Sequence, residues 1–406
     1  MFTVLWSFWS GLLAIIAAFW ASRHRDISRA KRELIPLSSV SYSGPPKNAP
    51  FISVLIAAKD EEANIEAAVR TMLAQDYPDF ELIVINDRST DRTPQILEQI
   101  QAEQPAGKMK VIHIRELREG WFGKNNAMRE GIEHARGEWL CFGDADCRQT
   151  SVRSLSMAVR HAVDWNIDFL SILPGLETHS FWERIVQPAC GAVMVFWFHP
   201  KNVNDPNHPA AYANGAYMLM RRSCYDAIGG HDAVRTEVNE DMHMAHLAKV
   251  RGQRLVVVQN DDLYTVRMYS RFKDIWRGWT RIFYGCFGTF RRLRISMMVL
   301  LIMSIFPFVS GLISAAVVLT KGWASADTGW HGVLLIAAFC IVIQQTVLMR
   351  YYRMSHANPW LALTWIIGAV VCVGMLANAM LKLKGRVTLT WRGTTYRGNQ
   401  VSNPSS

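Results

Sequence analysis

Two aspartates one residue apart, Asp144 and Asp146, close the run GEWLCFGDADC, Gly137 to Cys147. In extended chain, residues two apart point the same way, so both carboxylates can face one point in space. Two hard oxygen ligands at the end of a buried strand suit Mg2+ or Mn2+ holding a phosphate-bearing ligand. The bland alternative is an Asp-rich turn. A second acidic pair, Glu240-Asp241, follows Asn239 at the start of the helical run DMHMAHLAKVRG. Asn239 is a good N-cap, and acids in a first helical turn are ordinary, so helix-end stabilisation accounts for this pair by itself. His243 and His246 lie three apart on that helix with no third ligand apparent, and read as surface or core histidines. Lys124, in GWFGK at the start of another helical run, is placed where free backbone N–H groups attract phosphate.

The elements around these residues alternate. Phe51–Ala58 reads as a buried strand, Ala63–Gln75 as a helix, and Phe80–Asn86 as a second strand. Thr93–Glu103 is a second helix, Lys110–Ile114 a third strand and Asn125–Ala135 a third helix. Trp139–Phe142 is a fourth strand, ending at Gly143. Strand-helix alternation at this spacing predicts a mostly parallel, doubly wound α/β sheet. Ligands of such sheets sit beyond the carboxyl ends of the strands. Those ends are acidic and polar: Lys59-Asp60-Glu61-Glu62, then Asn86-Asp87-Arg88-Ser89 with Asp91, then Asp144 and Asp146. There is no GxGxxG and no GxxxxGK[ST], so phosphates need a metal and basic side chains instead. Phe169–Leu173 and Tyr217–Met220 read as further strands.

The 406 residues carry a net charge of +10, and much of the excess lies beside apolar stretches: Arg23 to Arg32, then Arg291, Arg292 and Arg294. That placement favours a cytoplasmic membrane face over nucleic acid. Seven scattered cysteines without a CxxC pair read as reduced thiols. Val4–Ala21 is uncharged, of near-spanning length, and followed by its positive charges, as in an uncleaved anchor with the next domain in the cytoplasm. Pro36–Pro50 reads as a linker. Phe181–Phe198 is apolar but holds Glu183, Arg184 and Pro188, and is expected on the bilayer surface or against the core. Over Phe272–Leu293 the residues Phe272, Trp276, Trp279, Phe283, Phe287 and Phe290 form one helical stripe. It lies either in the membrane interface or against the protein core. Met297–Leu319, Val333–Met349 and Trp360–Leu381 are each of spanning length. Three such spans after an N-terminal one put the basic tail outside, against the charge rule, so one run is a candidate for re-entry, and Met297–Leu319 contains Pro307 and Gly311.

The ordered series AAKDEEANI, VINDRSTDRT, GWFGKNNAM, FGDADC, ANGAYMLMRR, GGHDAVR, NEDMHMA and VRMY resembles family 2 glycosyltransferases of the GT-A fold. It is most similar to the membrane-bound group with hopene-associated, carotenoid-linked and ceramide glucosyltransferases. The resemblance covers roughly 53–284 plus the tail motif TWRGTTY. It implies that Asp60, Glu61 and Asp87 line the nucleotide pocket. Lys124 and Asp144 then belong to the donor phosphates, Asp146 with Asp144 to the metal, and Asp241 is the catalytic base. Asn214, Glu240, Arg267 and Trp279 fall in the acceptor or closing region. The family's QxxRW motif is not intact: the chain reads IWRGW, with Gly278 at the arginine position.

The resulting expectation is an inverting, metal-dependent enzyme, with Mg2+ or Mn2+ as cofactor. It moves a sugar from a nucleotide-sugar to a hydroxyl or carboxyl of a membrane lipid, and nucleic acid is not a partner. The expected organisation is an anchor over 1–22, a basic region and linker over 23–50 and a catalytic domain over 51–270. An interface helix over 271–295, spanning helices over 296–382 and a basic tail over 383–406 complete it. The competing readings are a non-catalytic membrane scaffold or transport protein, and a polysaccharide synthase. The predicted spans hold no buried charged pathway, which argues against transport. The altered QxxRW and the few spans argue against a polymer channel.

Overall fold

The computed structural model describes residues 2–34, 36–324, 326–384, 389–391, 394–397 and 400–402. The chain opens with α1 (Phe2–Glu33), a single helix. The apolar run and the basic run after it share this helix, because no Gly or Pro stands between Ala21 and Glu33 to stop it. The alternating part follows as β1 (Ile52–Ala58), α2 (Ile65–Leu73), β2 (Phe80–Asp87), α3 (Thr93–Ala102), β3 (Met109–Ile114), α4 (Gly123–Ile132) and β4 (Trp139–Asp144). Next come β5 (Cys147–Gln149), α5 (Ser154–Asp164), β6 (Phe169–Leu173), β7 (Gly175–Leu176), α6 (Phe181–Trp197) and α7 (Pro200–Asn204). Then follow β8 (Tyr217–Arg221), α8 (Arg222–Ala227), α9 (Gly230–Ala233), α10 (Glu240–Val250), β9 (Leu255–Gln259) and β10 (Tyr264–Val266). The last helices are α11 (Phe272–Phe287), α12 (Phe290–Val299), α13 (Phe306–Lys321), α14 (Thr328–Met354) and α15 (Trp365–Leu383). A π-helical segment, Leu300–Ile305, joins α12 to α13.

Two compact units result. One holds Leu34–Glu177, Val195–Met268 and Thr388–Ser406; the other holds Met1–Glu33, Thr178–Met194 and Tyr269–Val387. Residues Thr178–Met194, within the expected catalytic stretch, group with the helical unit.

The sheet unit is built on seven strands in the order β3-β2-β1-β4-β8-β6-β9. All run parallel except β8, which lies antiparallel to β4 and β6. Alternate side chains of β1 explain the two covering layers. Ile52, Val54 and Ile56 join Val69 of α2, Leu97 of α3 and Leu155 of α5 in one core, whereas Leu55 joins Met128 of α4 and Met244 of α10 in the other. A sheet covered on both faces needs continuous apolar strands, as β1, β2 and β4 are. β4 does not end at Phe142. Gly143 pairs with Ile56 and Tyr217, and Asp144 with Ala57, so the strand carries its first aspartate to the sheet edge. A smaller sheet, β5-β10-β7, follows the acidic pair directly.

In the helical unit, the acid in α6 has a local reason. Glu183 Oε2 accepts hydrogen bonds from the backbone N–H of His179 (3.1 Å) and Ser180 (2.5 Å), while Ser180 Oγ accepts from Glu183 N (3.3 Å). This is a capping box. The aromatic run 272–293 is two helices instead of one: Gly288, at φ 58°, caps α11 and its N–H donates to Tyr284 O. Trp279, Phe283 and Phe287 are buried, Phe272 packs on Trp182 with ring centres 4.6 Å apart, and Trp276 lies against Gly374 of α15. The stripe therefore packs largely on protein. Among the described residues four helices are long and apolar enough to cross a membrane: Leu5–Arg32, Phe290–Lys321, Thr328–Met354 and Pro359–Leu383. All seven cysteines are free.

Candidate active site

Asp144 ends β4, and Ala145-Asp146 form a turn before β5. The two carboxylates are thus set by a strand end and a turn, not by one extended strand. Lys124 occupies the first turn of α4, where the chain leaves Phe122 in extended geometry. Its Nζ lies 2.5 Å from Asp144 Oδ1 and 2.7 Å from Glu240 Oε1. One ammonium therefore joins the acidic pair after β4 to the acidic pair that opens α10. The Lys124 side chain is 34% exposed and that of Asp144 35%, whereas Glu240 is buried. Burial alone lowers a lysine pKa, but the Asp144 and Glu240 carboxylates outweigh it and hold the ammonium well above the usual range.

Asp241 is anchored by the backbone. Its Oδ2 accepts from Gly215 N at 2.8 Å and its Oδ1 from Met242 N at 2.7 Å. Burial first, and the neighbouring Glu240 charge second, push its carboxyl up to about 7 against the opposing pull of Lys124 and the two N–H donors. Gly215 is the residue on which these groups converge. A Cβ there would come within 3.0 Å of Lys124 Nζ, 3.4 Å of Asp241 Oδ2 and 3.6 Å of Glu240 Oε1. Sequence reasoning named its neighbour Asn214 and passed over Gly215. The signal was the glycine inside ANGA, at a place where backbone must approach side chains closely. Asn214 itself builds the turn: its Oδ1 accepts from Ala216 N at 3.0 Å, and its N donates to Ser171 Oγ at 2.8 Å. Asn239 occupies the N-cap position of α10, but its side chain makes no cap hydrogen bond.

The remaining acids of the rim lash neighbouring loops together. Asp60, at φ 53°, accepts from Thr90 N at 2.7 Å and Thr90 Oγ1 at 3.1 Å, and its own N donates to Ser89 Oγ. Glu61 is buried; its N donates to Thr93 Oγ1, and its Oε2 accepts from Asn64 Nδ2 at 3.0 Å. Asp91 accepts from Glu62 N and Thr93 N. Asp87 is buried beneath Arg88, whose guanidinium donates to both of its oxygens at 2.7 and 2.9 Å. Gly123 faces that carboxylate, and a Cβ there would lie 2.7 Å from Asp87 Oδ2. Arg267 is exposed just after β10. In the antiparallel β5-β10 register Val266 pairs with Cys147, so Arg267 follows at the end of the ladder where Asp146 precedes it. Trp279 is buried in α11 of the helical unit.

His243 is held by the Asn239 carbonyl (3.0 Å) and Glu237 (3.2 Å). His231, of the GGHD stretch, is buried against Tyr225, and burial first and the Lys124 charge second push it down to about 3. It is neutral at physiological pH. Among the described residues no group of three or more His, Cys, Asp or Glu is placed to hold a metal.

The sequence and the fold both have relatives. A 4,4'-diaponeurosporenoate glycosyltransferase of Staphylococcus aureus (strain USA300) is 24% identical over 239 residues, 58% of this chain and 61% of the relative. The chain thus spans about three-fifths of the length of the curated relatives it matches. A mannosyltransferase from Pyrobaculum calidifontis, solved in complex with GDP-Man and Mn2+, is similar at 19% identity and TM-score 0.54, over 92% of this chain and 99% of that one. That likeness bears out the GT-A fold. The family model described as Glycosyl transferase family 2 matches residues 53–229, and that described as Glycosyl transferase family group 2 matches residues 144–379. The second match takes in more than half of the chain, which therefore belongs to glycosyl transferase family group 2.

Proposed function

We propose that this protein is an inverting glycosyltransferase that moves a sugar from a nucleoside-diphosphate donor to a hydroxyl of a membrane lipid. The observation that carries the reading is the half-buried Asp241 carboxylate. It is fixed by two backbone N–H groups and converges with Lys124 on Gly215, and Lys124 is ion-paired to Asp144. A general base needs a pKa near working pH, which burial and Glu240 supply here. Each Asp241 oxygen accepts one N–H bond and keeps lone-pair capacity for an incoming hydroxyl. The acceptor proton passes to Asp241 as the acceptor oxygen bonds to the anomeric carbon and the bond to the diphosphate breaks. One displacement inverts that centre, so no second carboxylate acts as a nucleophile.

Asp144 and Asp146 fit a hard divalent cation. They offer two carboxylates, and such an ion is commonly held by one or two carboxylates with substrate phosphates completing its shell. When bound, the cation neutralises charge growing on the leaving diphosphate. Lys124 is the chain's own cation at the same place, and its ammonium is positioned to meet that diphosphate. Asp60, Glu61 and Asp87 are the side chains we assign to the nucleotide, with Asn214, Glu240 and Arg267 in the acceptor or closing region. The four candidate spans and the carotenoid-related name of the curated relative support a lipid acceptor. The basic flanks Arg23–Arg32 and Arg291–Arg294 support a multi-pass protein with its catalytic unit on the cytoplasmic face.

The test is a transfer assay on membranes holding the full chain. UDP- and GDP-hexoses are supplied with Mn2+ or Mg2+ and a lipid extract, and the lipids are read by mass spectrometry. The expected product is a hexosylated lipid present with the wild-type chain and reduced about a hundredfold or more with Asp241→Asn. A lipid profile identical with and without the wild-type chain would reject the proposal.

A further inference from the structure

Within the helical unit, α1 and α14 run side by side in the same direction. Near the start of both, Trp6 packs on Trp330 with ring centres 4.3 Å apart, and Leu13 meets Val333 and Ala337 further on. Near the end of both, His24 Nε2 lies 3.2 Å from Thr346 Oγ1 and His24 Nδ1 lies 2.9 Å from Arg350 Nη1. At 1.5 Å per residue these contacts are about 27 Å apart along α1 and about 30 Å apart along α14. That is the thickness of a bilayer's hydrocarbon core. Trp6, Trp9 and Trp330 cluster at one boundary, as interfacial tryptophans do. The His24–Arg350 pair marks the other.

At that second boundary lies a groove of about 450 Å³ lined by His24, Arg25, Ser28, Arg29, Arg32 and Arg350. Residues 25, 28, 29 and 32 share one helical face. Arg350 is held in place: its Nη1 donates to His24 Nδ1 and to His24 O (3.1 Å), and its Nη2 to Ser28 Oγ (2.7 Å). A guanidinium only donates, so His24 Nδ1 accepts, the ring is neutral, and Nε2–H points to Thr346. Among the described residues no acidic side chain lines the groove, and Asp26, on the same helix, pairs with Arg23 at 2.8 Å. Four guanidinium groups at headgroup depth match one chemistry, a phosphate group. We propose that this groove binds the phosphate of an anionic phospholipid. The proposal rests on α1 and α14 crossing the bilayer and not on the glycosyltransferase reading.

The test is native mass spectrometry of the full chain in detergent, titrated with phosphatidylglycerol, phosphatidylcholine or inorganic phosphate. Arg25 and Arg32 are exposed, so the double variant Arg25→Gln/Arg32→Gln leaves the helix packing intact. Wild type should retain phosphatidylglycerol over phosphatidylcholine, and the double variant should lose about twenty-five-fold in that retention, near fivefold per arginine. Equal retention of the two lipids by wild type, or undiminished phosphatidylglycerol binding by the double variant, overturns the proposal. Displacement of the lipid by inorganic phosphate at equal concentration assigns the groove to a soluble phosphate and overturns it as well.

A separate set of contacts bears on α15. The continuous helix from Phe290 to Lys321 runs antiparallel to α1, since Trp20 Nε1 donates to Met303 O (2.8 Å) and Trp9 Nε1 to Ser310 Oγ (2.9 Å). Phe290 therefore lies beyond Met303 by about 20 Å of helix, on the arginine side. Both ends of α15 are there too. Trp365 packs near Tyr351, the residue after Arg350, with ring centres 6.5 Å apart, and Lys384 Nζ sits 4.9 Å from the centre of the Phe290 ring. We infer that α15, although long enough, returns to the face it started from, which leaves three crossings and puts Lys382 and Lys384 with the other basic flanks. Impermeant maleimide on intact and permeabilised cells tests this with Arg25→Cys, Trp323→Cys and Lys384→Cys over the wild-type background. Position 384 should label with 25 and opposite to 323; labelling with 323 would overturn the inference.

Discussion

The acidic site of the sheet unit and the basic groove of the helical unit handle charge in opposite ways. In the first, acids are matched inside the protein: Lys124 serves Asp144 and Glu240, Arg88 serves Asp87, and backbone N–H groups serve Asp241. In the second, four arginines and a neutral histidine are among the described residues that line one groove. Burial and the Glu240 charge raise the Asp241 carboxyl to about 7. A groove lined by guanidinium groups suits an anion from outside.

The predictions test that contrast, beginning with the largest effect. Asp241→Asn keeps the shape and removes the base, so turnover should fall about 10²–10⁴-fold while donor affinity, read by calorimetry, holds. Lys124→Met should break the matching itself. It leaves Glu240 buried beside Asp144 without a countercharge, at a cost of about 1–3 kcal/mol, below the range for fully buried pairs because Lys124 is one-third exposed. Thermal unfolding checks that figure, and turnover should drop at least tenfold. A third test is steric. A Cβ at Gly278 would enter the space of the Tyr269 ring, so Gly278→Ala should cost about 1–3 kcal/mol, partly recovered in Gly278→Ala/Tyr269→Ala. The smallest effect belongs to the rim. Asp60→Ala loses the Thr90 bonds and about 1 kcal/mol, whereas Asp60→Asn keeps an acceptor and tolerates φ 53°. If Asn weakens donor binding as much as Ala does, the Asp60 charge itself touches the donor.

What could be read without coordinates follows from range. The Val/Ile/Leu runs of β1 and β2 declare buried parallel strands because burial on both faces leaves no polar alternation. The order of acids at the strand ends was legible for the same reason. What was not legible depended on partners distant in sequence. Nothing near Lys124 announces Glu240, 116 positions on, and nothing near Asp241 announces the N–H of Gly215. Asp60 and Glu61 read as pocket-lining acids, yet the Asp60 carboxylate bonds Thr90 and the Glu61 N–H bonds Thr93, tying two loops that only the sheet brings together. The altered QxxRW was visible as a gap, but that Tyr269 fills it was not. Gly288, which divides the aromatic stripe, sat in an otherwise unbroken helical pattern.

The pH dependence of kcat/KM for sugar transfer tests the role of Asp241 most directly. Its carboxyl is raised from an ordinary 3.8 to about 7, and only the ionised form can accept a proton, so activity is present above that value and lost below it. The account predicts an acid limb of unit slope near pH 7, which moves upward in Lys124→Met and is missing from the residual activity of Asp241→Asn. A profile flat from pH 5 to 8, or a limb that survives in Asp241→Asn, would contradict it.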